Sequence, residues 1–155
     1  MPGLSNNVSH TSRQAKGRQV RRRIDIQGSE VTEPFTGSTA GFTASGCSIA
    51  NPTGSALKVT SGATQTNGYA YKEYTLVSGV NYTYSIQQTV AATSGGGHIK
   101  FGNSAGDTTC INVEANSVAT YTGNFTPTQA SVFLSLQIDS SRKNMSWDNI
   151  LITET

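Results

Sequence analysis

The sequence predicts an all-β chain: an antiparallel two-sheet jelly-roll sandwich with an extended N-terminal arm. Three observations predict this fold. The composition is rich in Thr, Ser, Gly, Val and Tyr, the apolar residues recur with a period of two, and turn residues separate short segments at regular spacing. A chain of 155 residues is also long enough to bury one core without covalent cross-links.

The first element is a basic arm at residues 1–23, followed by the jelly-roll domain at 24–155. The arm has few apolar side chains, so we expect it to order only on a partner. It carries no acidic residue, whereas residues 24–155 carry nine acidic and five basic residues, a net charge of −4. A short strand is predicted at 23–26. The basic residues of the arm are Arg13, Lys16, Arg18, Arg21, Arg22 and Arg23.

The strands come next, and two of them have the clearest alternation. Residues 80–90 and 131–138 each present apolar side chains on one face and Ser, Thr, Asn or Gln on the other, which predicts half-buried strands. Phe133 departs from this pattern as an aromatic side chain on the polar face. The sequence predicts about nine strands in all. Besides 80–90 and 131–138, these are at 41–50, 55–60, 68–76, 98–102, 108–114, 117–126 and 144–153. Clusters such as "NPTG", "TSGGG" and "NSAGD" predict the turns between them.

The last strand raises a question about its apolar residues. Alternation places Asp148 and Ile150 on one face and Met145 and Trp147 on the other. If the second face is solvated, Met145, Trp147 and Leu151 form an apolar surface stripe of the kind that marks an interface. The alternative is that they belong to the core or lie under the arm, and the sequence leaves both open.

Five stretches of residues 41–154 form a series: "GF" at 41–42, "GSALKVT", "YAYKEYTLVSGVNYTYSI", "TGNFTPTQASVFLSLQI" and "WDNILITE". In this order they resemble the jelly-roll type of carbohydrate-binding module. The resemblance covers about three-quarters of the chain and implies a two-sheet jelly roll, in some members with a structural calcium. It does not imply that sugar is bound, since such domains in bacteriophage virions look structural and a fold does not fix a function.

A candidate glycan patch follows from the aromatic residues. Tyr69, Tyr71 and Glu73 share one strand face, and Met145 and Trp147 are candidate members of the same patch. Gln87 is a candidate neighbour. Aromatic rings stack on sugars and carboxylates bond their hydroxyl groups, but cross-strand aromatic pairs also stabilise sheets without any ligand. Both interpretations stay open.

Catalytic and metal-binding patterns are weak, so we predict a non-enzymatic protein without a cofactor. The carboxylates are scattered and no Gly-x-Ser-x-Gly motif occurs. Calcium is the one metal for which the sequence offers candidate ligands, Asp148 together with Asp25 or Glu30, because hard oxygen ligands suit that ion. The two cysteines, Cys47 and Cys110, are expected to be unbridged thiols, with a single disulfide as the alternative.

The basic charge of the arm indicates which kind of partner it binds. It lacks the apolar anchors of a membrane-binding helix, and the acidic body makes nucleic acid an improbable partner. Arg side chains bind carboxylates and carbonyls of another protein in bidentate fashion. With no apolar segment typical of a secretory signal, we predict a bacteriophage capsid decoration (cement) protein, assembled in the host cytoplasm.

In that prediction the arm binds the major capsid protein or another virion protein, and the chain is a homo-oligomer or is present in many copies on a symmetric shell. Two rivals remain. One is a phage tail or fibre component and the other is a carbohydrate-binding module, each recognising a cell-surface glycan.

Overall fold

The computed structural model describes residues 30–64, 67–91, 96–141 and 143–155, and the all-β prediction is confirmed there. Eleven strands lie in this part of the chain, and the predicted segments overlap all but the first of them. In chain order they are β1 (Glu30–Glu33), β2 (Thr43–Ser45), β3 (Cys47–Ala50), β4 (Leu57–Ser61), β5 (Gly68–Thr75), β6 (Tyr82–Val90), β7 (Gly97–Gly102), β8 (Ile111–Glu114), β9 (Ala119–Phe125), β10 (Ser131–Ile138) and β11 (Asn144–Glu154).

The strands form two sheets in which every pairing is antiparallel. Sheet A has the order β3-β4-β11-β6-β9. Strand β1 also joins it, because β4 pairs with the first part of β11 and β1 with the last part. Sheet B has the order β2-β5-β10-β7-β8. The predicted two-sheet antiparallel sandwich is therefore confirmed.

A glycine divides the strand predicted at 41–50 into two. Gly46 has φ +64°, a left-handed conformation that costs glycine little. The chain changes sheets at this residue, so β2 pairs with β5 of sheet B and β3 pairs with β4 of sheet A. One predicted strand thus becomes a corner between the two sheets.

Alternate side chains of both sheets fill one core, as the period of two predicts. Tyr82, Tyr84 and Ile86 of β6 are buried, and so are Leu134 and Leu136 of β10. The sheet faces that point away from this core are called the A face and the B face below. The largest fully buried side chains are Trp147, Tyr82, Phe35, Phe101, Leu57, Ile86, Ile99, Leu134, Leu136, Ile138, Met145 and Ile150.

In strand β11, Met145 and Trp147 are buried and do not form the predicted apolar surface stripe. Met145 and Trp147 are 0% exposed, and so is Ile150. The pairing of β11 with β6 shifts register between Asp148 and Leu151, and Asn149 has φ +47°, as in a β-bulge. The bulge reverses the alternation, so the apolar residues before it and after it both face the core.

A partly buried ion pair connects the two sheets at the start of the described chain. Glu33 of β1 accepts hydrogen bonds from the Lys72 ammonium and the Tyr74 hydroxyl of β5. Lys72 Nζ also lies 2.7 Å from the carbonyl oxygen of Ala40. Burial, together with the adjacent Glu33 carboxylate, raises the pKa of Tyr74 above its ordinary range. The ammonium thus satisfies oxygen atoms that the sandwich has removed from water.

Several predictions lie outside the described residues. These are the arm at 1–23 with its six basic side chains, the strand at 23–26, and the candidate calcium ligand Asp25. Within the residues that the structure describes, no helix is long and apolar enough to cross a membrane.

Candidate functional site

The B face combines aromatic and polar side chains in a regular grid. Tyr69 lies opposite Gln137, which lies opposite His98. In the next row Tyr71 lies opposite Ser135, which lies opposite Lys100. These residues come from β5, β10 and β7, three neighbouring strands whose alternation sends every second side chain outward. The face therefore brings together functional groups from distant parts of the sequence.

Three rings form what we call the aromatic strip: Tyr69, Tyr71 and Phe133. The ring centroids of Tyr69 and Tyr71 are 5.9 Å apart, and those of Tyr71 and Phe133 are 6.3 Å apart. All three side chains are half-buried. Phe133 is the aromatic residue that the alternation of β10 puts on the polar face, and the structure explains it as part of this strip.

Glu73 stands at the end of the strip. It lies opposite Phe133 in the pairing of β5 with β10, and its carboxylate accepts a hydrogen bond from the Ser131 hydroxyl. The structure thus brings Tyr69, Tyr71 and Glu73 together on one surface, as the sequence predicts. A carboxylate beside aromatic rings can accept hydrogen bonds from ligand hydroxyl groups.

On the other side of β10 lies what we call the polar cluster: His98, Lys100, Gln137 and Asp139. Lys100 Nζ donates to Gln137 Oε1 at 2.6 Å, and the Gln137 amide donates to Asp139. His98 Nε2 lies 3.0 Å from Asp139 Oδ2. Sequence reasoning did not nominate these residues, because His98 follows a glycine turn and Lys100 and Gln137 look like ordinary solvated positions.

The loop between β7 and β8, residues 103–110, folds over the B face. Asp107 braces it by accepting hydrogen bonds from the backbone amides of Asn103 at 2.8 Å and Thr108 at 2.7 Å, and from the Thr109 hydroxyl at 2.5 Å. These bonds, that from Thr109 first, lower the pKa of Asp107. The tip is fixed by a 2.8 Å hydrogen bond from the Gly106 amide to Ser135 Oγ.

The other predicted patch residues lie elsewhere. Met145 and Trp147 are core residues of sheet A, so their predicted place in a surface patch is wrong. Met145 packs across the sandwich under Gly97 of β7, whose position has no room for a Cβ. Gln87 lies opposite Asp148 in sheet A and accepts a hydrogen bond from the Asn149 amide at 2.7 Å. None of the three contributes to the B face.

The calcium prediction receives no support from the described residues. Glu30 lies opposite Thr153, five positions along β11 from Asp148, a separation of roughly 15 Å at strand spacing. Asp148 instead accepts a hydrogen bond from the Asn149 amide. In the described ranges no group of three or more His, Cys, Asp or Glu side chains converges.

Both cysteines are free thiols, as expected. Cys47 lies in β3 of sheet A, and Cys110 lies at the end of the loop that precedes β8 of sheet B. Each is half-buried, and burial raises the pKa of both thiols.

The A face differs from the B face in chemistry. A depression of about 380 Å³ opens there between β6, β9 and β11. Its walls are mainly small polar residues. The Tyr84 ring packs against Gly123 from the core side, where a Cβ would have no room. In the described part of the chain, Tyr84 is the one aromatic residue that lines it, so the depression has no counterpart of the aromatic strip. It is lined by Thr83, Tyr84, Ser85, Thr122, Gly123, Asn124 and Leu151.

Comparison with solved structures gives the class of fold. The chain is similar to the CBM22-1 xylan-binding domain of Paenibacillus barcinonensis Xyn10C, with TM-score 0.60 and 19% identity over 83% of this chain and 96% of that one. It is also similar to the CBM22-1–GH10 modules of Clostridium thermocellum Xyn10B complexed with xylohexaose, with TM-score 0.57 and 18% identity over 81% of this chain but only 28% of that one.

A third similar structure is the C-terminal CBM6 of LamC from Zobellia galactanivorans, with TM-score 0.54 and 14% identity over 81% of this chain and 99% of that one. No protein-family model matches the sequence, and no curated protein matches it. The chain therefore has the β-sandwich fold of carbohydrate-binding modules. The predicted resemblance is confirmed at the level of fold, and the predicted link to bacteriophage stays a prediction.

Proposed function

We propose that this chain is a non-catalytic carbohydrate-binding module whose binding site is the B face. The observation that carries the proposal is the aromatic strip on an otherwise polar sheet surface. Aromatic rings offer flat apolar area to the C–H face of a pyranose, while a few polar groups around them fix its orientation. The similar CBM22-1 domain is xylan-binding, which supports glycan binding, and the aromatic strip is the feature of this chain that favours binding over a purely structural role.

The polar groups favour a glycan without acidic groups. Three carboxylates, Glu73, Glu114 and Asp139, stand on or beside this face, and the Lys100 ammonium is engaged by Gln137 at 2.6 Å. A uronic acid or a sulfated sugar would meet more negative than positive charge. Neutral hydroxyl groups, in contrast, can both donate to carboxylates and accept from amides.

The test is titration calorimetry of the full chain with xylohexaose, cellohexaose and laminarihexaose, followed by binding to insoluble cell-wall polysaccharides. For a glycan that binds, Tyr71→Ala is expected to weaken affinity at least tenfold, about 1.4 kcal/mol. The matched control is Thr122→Ala on the A face, which is expected to leave affinity unchanged. Wild-type affinity in Tyr71→Ala would reject the B face as the site.

The charge of the N-terminal segment favours a second candidate, a capsid decoration protein. Residues 1–23 hold six basic residues and no acidic one, and a row of Arg side chains can pair with the carboxylates of an acidic surface on another protein. In this proposal the sandwich lies outside the shell and the segment binds the major capsid protein.

A shortened chain that begins at residue 24 separates the two candidates. A decoration protein would bind empty phage capsids in fixed stoichiometry and raise their melting temperature, and the shortened chain would do neither. A carbohydrate-binding module would keep its glycan affinity without the segment. Equal capsid binding by the full and shortened chains would exclude attachment through the basic residues.

A further inference from the structure

The loop between β7 and β8 occupies the centre of the B face. Ser135 points outward from β10 and yet is 0% exposed, because the loop tip lies on it. Gly106 binds Ser135 through its amide and contacts Tyr69 so closely that a side chain at Gly106 would lie 3.1 Å from the Tyr69 ring. With φ +79°, this position also favours glycine on conformational grounds.

The loop is held in this place at several points. Asp107 accepts three hydrogen bonds within the loop. Its backbone carbonyl packs against Gly102, where a Cβ would have no room. At the base, Thr128 donates to Asn103 Oδ1 at 2.9 Å and Gln129 donates to the Asn103 carbonyl at 3.0 Å. Because so many bonds converge on eight residues, the loop is a fixed wall rather than a mobile lid.

This wall interrupts the grid of the B face. In the row Tyr71–Ser135–Lys100 the loop tip sits on the middle residue, so it separates the aromatic strip from Lys100. In the row beyond, Gly102 lies opposite Phe133 and is covered by Asp107. At the other end the tip meets the hydroxyl end of Tyr69. A ligand stacked on the strip is thus bounded along the β7 side and at Tyr69.

We infer that the site binds a short glycan segment, such as a chain end or a side branch, and not an internal stretch of polysaccharide lying across the sheet. This inference rests on the proposed function and specifies its ligand class. The three rings extend over at most about 12 Å from first to last centroid. With one ring stacked against each pyranose, three rings accommodate at most about three sugar units.

The test measures affinity along ladders of xylo-, cello- and laminari-oligosaccharides, from disaccharide to hexasaccharide, by titration calorimetry. For the ladder that binds through Tyr71, affinity is expected to stop rising at the trisaccharide. A further rise of tenfold or more between trisaccharide and hexasaccharide would overturn the inference while leaving the proposed function intact. If no ladder binds, or if Tyr71→Ala changes none of the affinities, the proposed function itself fails.

A loop variant tests the cause of the expected limit. The double change Asp107→Ala with Ser135→Ala removes the brace and the anchor, so the hexasaccharide is expected to gain at least tenfold over the trisaccharide. Thr108→Ala is the matched control, since its exposed side chain holds nothing in place, and it should keep the wild-type plateau. If the double variant fails to fold, Asp107→Asn alone replaces it. If affinity still stops rising at the trisaccharide in the variant with the loosened loop, the loop is not what limits the length of the bound glycan.

Discussion

Trp147 and Tyr71 are two aromatic residues with similar sequence surroundings, yet one lies in the core and the other on the sheet surface. Each stands in a strand of alternating character, and each is a candidate for a surface patch on sequence grounds. Trp147 lies in sheet A and is 0% exposed, whereas Tyr71 lies on the B face between Tyr69 and Phe133. One ring belongs to the core and the other is available to a ligand.

The difference comes from the bulge in β11. A regular strand would put Trp147 and Ile150 on opposite faces, so one of them would have to leave the core. The register shift after Asp148 removes that conflict, and both are buried. Strand β5 has no such shift, since its pairing with β10 is continuous from Gly68 to Thr75. The alternation read from its sequence therefore holds.

The largest effect that tests this contrast is on folding stability. Trp147→Ala is expected to lower the free energy of unfolding by about 3–5 kcal/mol, because it removes a fully buried ring and leaves a cavity. Tyr71→Ala is expected to cost about 1–3 kcal/mol, because it removes two aromatic contacts on a sheet surface, each worth about 0.5–1.5 kcal/mol. Urea unfolding monitored by circular dichroism measures both.

Trp147→Phe is the control for this comparison, since it keeps most of the ring and should lose clearly less than the alanine variant. A loss of under about 1 kcal/mol in Trp147→Ala would contradict the buried assignment.

A second, smaller effect on unfolding stability contrasts the inward and outward sides of strand β5. Lys72 follows Tyr71 directly but points inward, to Glu33 and the carbonyl of Ala40. Lys72→Met leaves the Glu33 carboxylate, with its 10% exposed side chain, without a countercharge. We expect a loss of about 2–3 kcal/mol in the free energy of unfolding, with unchanged glycan affinity.

The double variant Lys72→Met with Glu33→Gln closes the thermodynamic cycle and should recover part of that loss. If the loss of unfolding free energy in the double variant equals the sum of the losses in Lys72→Met and Glu33→Gln, the ion pair has no coupling energy.

Much of the fold could be predicted because its strands are regular. The alternation in β6 and β10 holds in the structure, and turn residues mark the ends of most strands. Two features could not be predicted. β1 has only four residues, too few for a period to stand out, and the corner at Gly46 depends on which sheet each half joins. Both are decided by pairing between distant segments rather than by local pattern.

The candidate site could be predicted only along one strand. Tyr69, Tyr71 and Glu73 alternate within β5, so their common face is visible in the sequence. Phe133 and Lys100 reach the same face through the pairing of β10 with β5 and β7, and no local pattern gives that register. The wall over the site was equally hidden, since "NSAGD" predicts a turn but not where the turn folds.

The smallest effect concerns the loop that separates the two halves of the B face. The hydrogen bonds from Thr109 and Asn103 lower the pKa of Asp107 in the folded protein. Its support of the loop is therefore complete above the ordinary aspartate pKa of about 3.9 and is lost as the pH falls through the lower folded value. In an amide NMR titration, the Asn103 and Thr108 resonances should move together with a midpoint below about 3.9. Asp107→Asn should abolish that transition and shift the Gly106 resonance at neutral pH, whereas Thr108→Ala should keep both. A midpoint at or above the ordinary value would mean that Asp107 does not brace the wall.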